Sequence, residues 1–274
     1  MKVYILLFVL IATLLQPASA KSDLKLVALS PHTVEMLFDL GLGNTIVGTV
    51  DYADYPEQAK LLPRVGGAYG LSIEKIIALK PDYVVAWRGG NKASDIAALE
   101  KLGLTVIDSS PQNIYGVAQD YRRIGALFGR AEQGQLIGGE IDKSVEQLEA
   151  LYRNKQPVRT FYQMWPEPLM TINSETWTHR LLELCGAKNV FAEQAADYPQ
   201  ISPEHVIAKQ PAVIVIPVDK SHNKISNEKW QDWDQIPAVK KNQFVQADAD
   251  LLHRFTKRVL QGAIKLCADI DQYR

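Results

Sequence analysis

Aromatic rings and a few charged side chains gather where this sequence is expected to leave its strands, and that is where its chemistry lies. The first half offers Tyr52, Tyr55, Tyr69, Trp87 and Arg88; the second offers Met164, Trp165, Met170, Tyr198, Asp250 and Arg254. Rings give wide, stiff contact area, and a few charged tips then orient a ligand. In open α/β sheets ligands sit outside the carboxyl ends of the strands, so two such sets imply a cleft for a large, flat-sided molecule. Each aromatic taken singly fits a core or surface role equally well. Trp87, between a buried strand and Gly89-Gly90, has the setting that favours binding.

Other chemistries find less support. The histidines, His32, His179, His205, His222 and His253, have no metal-ligand spacing. His32 and His253 follow predicted strands and could still face the cleft as ligands to a haem or metal chelate. There is no Gly-x-Ser-x-Gly elbow and no His-Glu-x-x-His, and Gly89-Gly90-Asn91 lacks the Lys-Ser/Thr of a phosphate loop. Asp54 and Asp250 could form a general acid/base pair, but two acids in a chain with 31 prove little. The reading is a binding protein, not an enzyme, with no cofactor or metal of its own.

The elements that must position these residues alternate. Leu24 to Leu29, Ile46 to Val50, Asp82 to Trp87 and Thr105 to Asp108 read as strands. Between them lie helices opened by Ser30-Pro31, by Ser72 and at Ala93. A second series follows: strands at Val158 to Met164, Ala212 to Ile216 and Phe244 to Gln246, with helices capped by Ser174 and Ser202. Ala247 to Asp250 is expected as a loop into the last helix, and Val218 to Gln235 as loop and short helix. Short strands alternating with helices indicate mostly parallel, covered sheets.

Between the two series, helical periodicity runs from Asn113 to Tyr152. Gly129 divides it as a helix C-cap, so Ala131 to Asn154 is a separate helix of about 36 Å. Gly138 and Gly139 weaken it by about 1 kcal/mol each. This rod is expected to tie two lobes together; a crossover helix within one sheet is the alternative. An internal repeat favours two lobes. Ser72-Ile-Glu-Lys-Ile-Ile-Ala-Leu-Lys-Pro81 aligns without a gap on Ser202-Pro-Glu-His-Val-Ile-Ala-Lys-Gln-Pro211, Asp54-Tyr-Pro56 on Asp197-Tyr-Pro199, and Asp39-Leu-Gly41 resembles Leu184-Cys-Gly186 with its preceding Glu183. The repeat places Glu74 and Glu204 in equivalent first helical turns, where a carboxylate is favourable in any case.

Residues 1–20 read as a signal peptide, with Lys2, an apolar Val3 to Leu15 and an Ala18-Ser19-Ala20 cleavage site. The expected division is then 21–112 as an N-terminal α/β lobe, 113–156 as the helical segment and 157–274 as a C-terminal lobe. No Cys follows the cleavage site, so no lipid anchor is expected, and no later run is long enough to span a bilayer. A net charge of −1 without a basic or acidic block points away from nucleic acid and membrane surfaces. The two cysteines, Cys185 and Cys267, are expected to pair in an exported chain.

Tyr52-Ala-Asp-Tyr-Pro56, Ile77 to Asn91 with its Trp-Arg-Gly-Gly-Asn ending, Leu182-Glu-Leu-Cys-Gly186 and Pro199-Gln-Ile-Ser202 closely resemble the periplasmic vitamin B12-binding proteins of bacterial cobalamin ABC importers. The resemblance covers essentially the whole chain after residue 20. It implies two α/β lobes on one backbone helix, cobalamin in the cleft between them, a periplasmic location, and docking of the loaded, free-standing monomer on a permease dimer with its ATPase subunits. By position it puts ligand contacts at Tyr52, Trp87, Tyr198, Asp250, Arg254 and Met170, and permease contacts at Glu74 and Glu204. The family member compared has Trp and Phe where Tyr198 and Met170 stand. A further family tryptophan is missing, and Tyr69 beside Ala68 is the candidate substitute. The alternative is the same architecture holding haem or a ferric siderophore.

Overall fold

Short apolar runs build two parallel sheets in the computed structural model, which describes residues 24–67, 69–218 and 227–274. The signal-peptide expectation for residues 1–20, His222, Ala68 and part of the Val218–Gln235 segment lie outside the described residues. In chain order the first lobe holds β1 (Leu26–Ala28), α1 (Pro31–Asp39), β2 (Ile46–Thr49), a small hairpin β3 (Gly66–Gly67) and β4 (Gly70–Leu71), α2 (Ile73–Ala78), β5 (Tyr83–Ala86), α3 (Ala93–Lys101) and β6 (Val106–Asp108). Its parallel sheet has the order β2-β1-β5-β6. Leu26 and Ala28 face one core while Val27 and Leu29 face another, the two-residue alternation of a strand covered on both faces. Ser30 caps α1 by accepting from the Thr33 amide, with Pro31 in the first turn.

The rod is two antiparallel helices, α4 (Ile114–Leu127) and α5 (Ala131–Tyr152). Gly129 sits between them at φ +71°, the left-handed residue that ends α4. The 22 residues of α5 span about 33 Å, because the helix stops at Tyr152. Gly138 is a contact point rather than a weakness: a Cβ there would lie 2.9 Å from the Ala118 carbonyl oxygen, and at Gly134 only 2.4 Å from that of Tyr121. These glycines let the two backbones touch.

The second lobe follows with β7 (Val158–Tyr162), a hairpin β8 (Trp165–Pro166) and β9 (Leu169–Met170), α6 (Trp177–Leu184), β10 (Ala187–Asn189), α7 (Pro203–Lys209), β11 (Val213–Val218), α8 (Pro237–Lys240), β12 (Phe244–Asp248), α9 (Ala249–Leu252) and α10 (Val259–Asp271). The sheet order β10-β7-β11-β12 repeats the second-first-third-fourth order of the first sheet. Burial runs identically along 71–76 and 201–206, and Lys80 and Gln210, equivalent in the repeat, are both left-handed at φ 48° and 45°.

Several expectations need correction. Thr176, not Ser174, caps α6, since its hydroxyl accepts from the His179 amide while Ser174 turns to Glu175. Ser72 precedes α2 without a side-chain cap bond. The 247–250 stretch is the end of β12 and the start of α9, not a loop, because Asp248 caps α9 through the Leu251 amide. Cys185 and Cys267 are disulfide-bonded, joining the end of α6 to α10. One apolar cluster runs through both lobes, including Leu26, Met36, Tyr121, Ile141, Val213 and Leu266. The rod is therefore embedded in a shared core, and does more than join two separate ones.

Candidate binding site between the lobes

The carboxyl ends of both sheets converge on residues 250–258, the turn between α9 and α10. From the first lobe, Trp87 meets Phe255 edge-on at 5.4 Å, and His32 lies 4.9 Å from the same ring. From the second, Trp177 packs on Phe255 at 4.6 Å and Tyr162 hydrogen-bonds His253 at 2.9 Å. The Trp-Arg-Gly-Gly-Asn loop has a physical reason. The Asn91 side chain accepts from the Trp87 amide and donates to the Leu29 carbonyl, and the indole folds back so closely that a Cβ on Gly90 would lie 2.1 Å from it. Trp87 is thus held in one place, half-buried, at the end of β5.

Charge is concentrated beside these rings. Glu35, on the buried face of α1 and 1% exposed, accepts from Arg254 at 2.9 Å, Arg258 at 3.0 Å and the Thr256 hydroxyl at 3.1 Å. Arg254, 13% exposed, also donates to Asp54 at 2.7 Å and Asp250 at 2.9 Å. Arg258 lies 3.9 Å over the Tyr55 ring, a cation–π contact. Burial pushes Glu35 above the ordinary carboxylate range while the two arginines pull against it. For Arg254, burial opposes the charge, but Asp54, Glu35 and Asp250 outweigh it and raise the pKa. A second carboxylate of α1, Asp39, accepts from Tyr121 at 2.6 Å and from Lys257 at 2.9 Å.

The expected site residues divide into two groups. Trp87, Asp250 and Arg254 come together here, and the Tyr52–Tyr55 loop joins them through Asp54 and Tyr55. Tyr52 itself is 77% exposed and sits at φ 63°, a conformation rare for a bulky residue. Tyr198, 48% exposed, stands on a loop that pairs with the β9 segment through Thr171 to Pro199 and Met170 to Gln200; burial, then Asp197, raises its pKa. Met170 is partly buried in β9. Tyr69 is fully exposed at the tip of the β3–β4 hairpin and makes no ring contact among the described residues. Arg88 pairs with Glu100 of α3. Glu74 and Glu204 are exposed in the first turns of α2 and α7; hydrogen bonding to Ser202 lowers the Glu204 pKa.

Sequence reasoning missed Glu35, Arg258 and Phe255, and assigned Asp54 no binding role. The available signal was a lone acid in the apolar run Val34-Glu35-Met36-Leu37, since carboxylates are rarely buried unless paired. His32 is neutral and engaged inside the first lobe: the Ser109 carbonyl can only accept, so Nε2 at 3.1 Å carries the proton, and Nδ1 lies 3.1 Å from the Ser30 hydroxyl. Burial lowers the pKa of His32 to about 4, and that of His253 likewise. Among the described residues no three His, Cys, Asp or Glu side chains group to hold a metal. A concavity of about 640 Å³ near Arg159, Lys155 and Lys188 runs along the edge strand β10 of the second sheet and includes none of the expected site residues. Lys155 there is paired with Asp271, and Arg159 donates to the backbone of 209–210.

The model of the periplasmic binding protein family matches residues 26–251. A vitamin B12-binding protein of Vibrio cholerae is 33% identical over 95% of this chain and 93% of its own length. One from Yersinia pestis is 34% identical over 94% and 89%. The crystal structure of the periplasmic vitamin B12 binding protein BtuF of Vibrio cholerae matches with a TM-score of 0.83 at 33% identity, covering 91% of this chain and 97% of that one. The periplasmic heme-binding protein RhuT of Roseiflexus shares the fold, with a TM-score of 0.80 at 21% identity over 91% and 98%. The family match over residues 26–251, and relatives 33–34% identical over nearly the whole chain, show that this chain belongs to the periplasmic binding protein family.

Proposed function

We propose that this protein is a periplasmic receptor that captures cobalamin between its lobes and delivers it to an inner-membrane ABC importer without chemical change. The observation that carries the reading is the meeting of Trp87, the Tyr52–Tyr55 loop and Arg254 at the junction of the two sheets. The 33% identity to vitamin B12-binding proteins over nearly the whole chain supports it. Tyr52, Trp87, Tyr198, Asp250, Arg254, Met170 and, from the exposed hairpin, Tyr69 are the ligand contacts in this reading. Segments 21–112 and 157–274 are the jaws, and 113–156 the backbone. Residues 1–20 direct export, and the free protein is monomeric. Glu74 and Glu204 meet the permease dimer; paired exposed charges speed and orient docking.

Calorimetry against cyanocobalamin, haem and a ferric siderophore panel tests the proposal, with recovery of unaltered ligand as the check for catalysis. The expected result is selective cobalamin binding, weakened roughly fivefold or more, about 1 kcal/mol, by Trp87→Ala. Tight haem binding without cobalamin binding would replace the ligand assignment.

A further inference from the structure

Arg254, bonded by residues of the first lobe and by Asp250 of the second, has more negative charge around it than it can neutralise alone. Three carboxylates, Glu35, Asp54 and Asp250, face two guanidiniums, Arg254 and Arg258. The neighbouring Lys257 is matched by Asp39. His32 and His253, the histidines flanking the cluster, are neutral at pH 7 and add no positive charge. Both N–H groups of Arg254 Nη1 are committed, to Glu35 and to Asp54, and one of Nη2 goes to Asp250. A guanidinium has five donors, and among the described residues no acceptor takes the Nε–H or the second Nη2–H. They belong to a guanidinium that three carboxylates already bond.

We propose that Glu35, Asp54 and Asp250 set the ligand class of this cleft: they neutralise Arg254 and hold it as a donor to uncharged carbonyl oxygens, excluding ligands that present a carboxylate there. The inference rests on the cobalamin reading for its ligand and deepens it. A corrinoid carries amide carbonyls at its rim, whereas haem carries two propionates. A carboxylate brought to Arg254 would lie beside three others, and such like-charge placement rejects the wrong partner. Glu35 carries much of the effect because it is buried, contributed by the first lobe, and bonded to both arginines.

The test compares cyanocobalamin with its monocarboxylic acids, in which one peripheral propionamide is hydrolysed, by calorimetry at pH 7. Wild type should bind at least one acid isomer roughly tenfold more weakly than the amide, about 1.4 kcal/mol. Glu35→Gln and Asp54→Asn should each narrow that ratio at least threefold; a loss of packing alone would weaken both ligands and leave the ratio unchanged. Asp54 is half exposed, so its variant carries the test if Glu35→Gln does not fold. Equal binding of amide and all acids by wild type, or an unchanged ratio in the variants, overturns the inference. If wild type does not bind cyanocobalamin, the functional reading fails separately. Haem then decides: a threefold or greater gain in haem affinity in the variants supports the carboxylate screen, and no gain refutes it.

Discussion

His32 should make this protein lose stability in acid, by an amount that one substitution removes. Its ring is buried against Trp87 and Phe255, and burial lowers its pKa from the ordinary 6.5 to about 4. Between those values the unfolded chain binds a proton at this position that the folded chain does not. Stability is therefore fully present above pH 6.5 and falls as pH drops toward 4. At 1.36 kcal/mol per pH unit the whole window is worth roughly 3 kcal/mol, and the part between pH 7 and pH 5 about 2 kcal/mol. His253 acts in the same direction. Glu35, raised above its ordinary range, acts oppositely and gains stability on acidification. The total slope is thus a composite, and the comparison with His32→Gln isolates one group, because a Gln amide can still donate to the Ser109 carbonyl. Urea unfolding at pH 7 and pH 5 should show wild type losing about 2 kcal/mol more than the variant across that interval. Equal losses in both proteins would mean that His32 is protonated, or exposed, in the folded state.

Other perturbations probe the rest of the molecule. Gly134→Ala should destabilise by about 2 kcal/mol, because its Cβ meets the Tyr121 carbonyl oxygen of α4. Gly139→Ala, with open space around it, should stabilise by roughly 0.5–1 kcal/mol; thermal or urea unfolding that gives both the same sign refutes the packing of α4 on α5. Replacing both cysteines by serine opens a link with a sequence separation of 82, and the chain-entropy model sets the loss at up to about 4 kcal/mol; an unchanged unfolding midpoint would contradict it. Replacing Glu74 and Glu204 together by Lys should leave cyanocobalamin affinity intact and abolish uptake in cells, and normal uptake would rule out their docking role.

Much of the architecture was legible because it rests on periodic signals. The apolar runs of buried strands around Val27 and Ile214, the Ser30-Pro31 helix start and the rod punctuated by Gly129 are local patterns. The repeat linking Ser72–Pro81 with Ser202–Pro211 carried the two-lobe argument, and even its left-handed residues coincide at Lys80 and Gln210. Hairpins of two-residue strands, Gly66–Leu71 and Trp165–Met170, carry no periodicity and were not visible. The cap at Thr176 lost to Ser174 because Ser and Thr two positions apart are near-equivalent N-cap candidates. Phe255 and Arg258 went unplaced, whereas Trp87 and Arg254 could be placed by strand ends and by resemblance. Glu35 could not, since its partners Arg254, Thr256 and Arg258 lie more than 200 residues away in sequence, and only the docking of the two lobes makes its burial tolerable.

The central claim is that one ligand bridges both lobes against the ring and guanidinium set at their junction. A crystal structure of the complex with cyanocobalamin measures this most directly. The account predicts the corrin between the lobes, within van der Waals contact of Trp87 and with a rim carbonyl accepting from Arg254. Density for the corrin at any other surface, with Trp87 and Arg254 untouched, would contradict it.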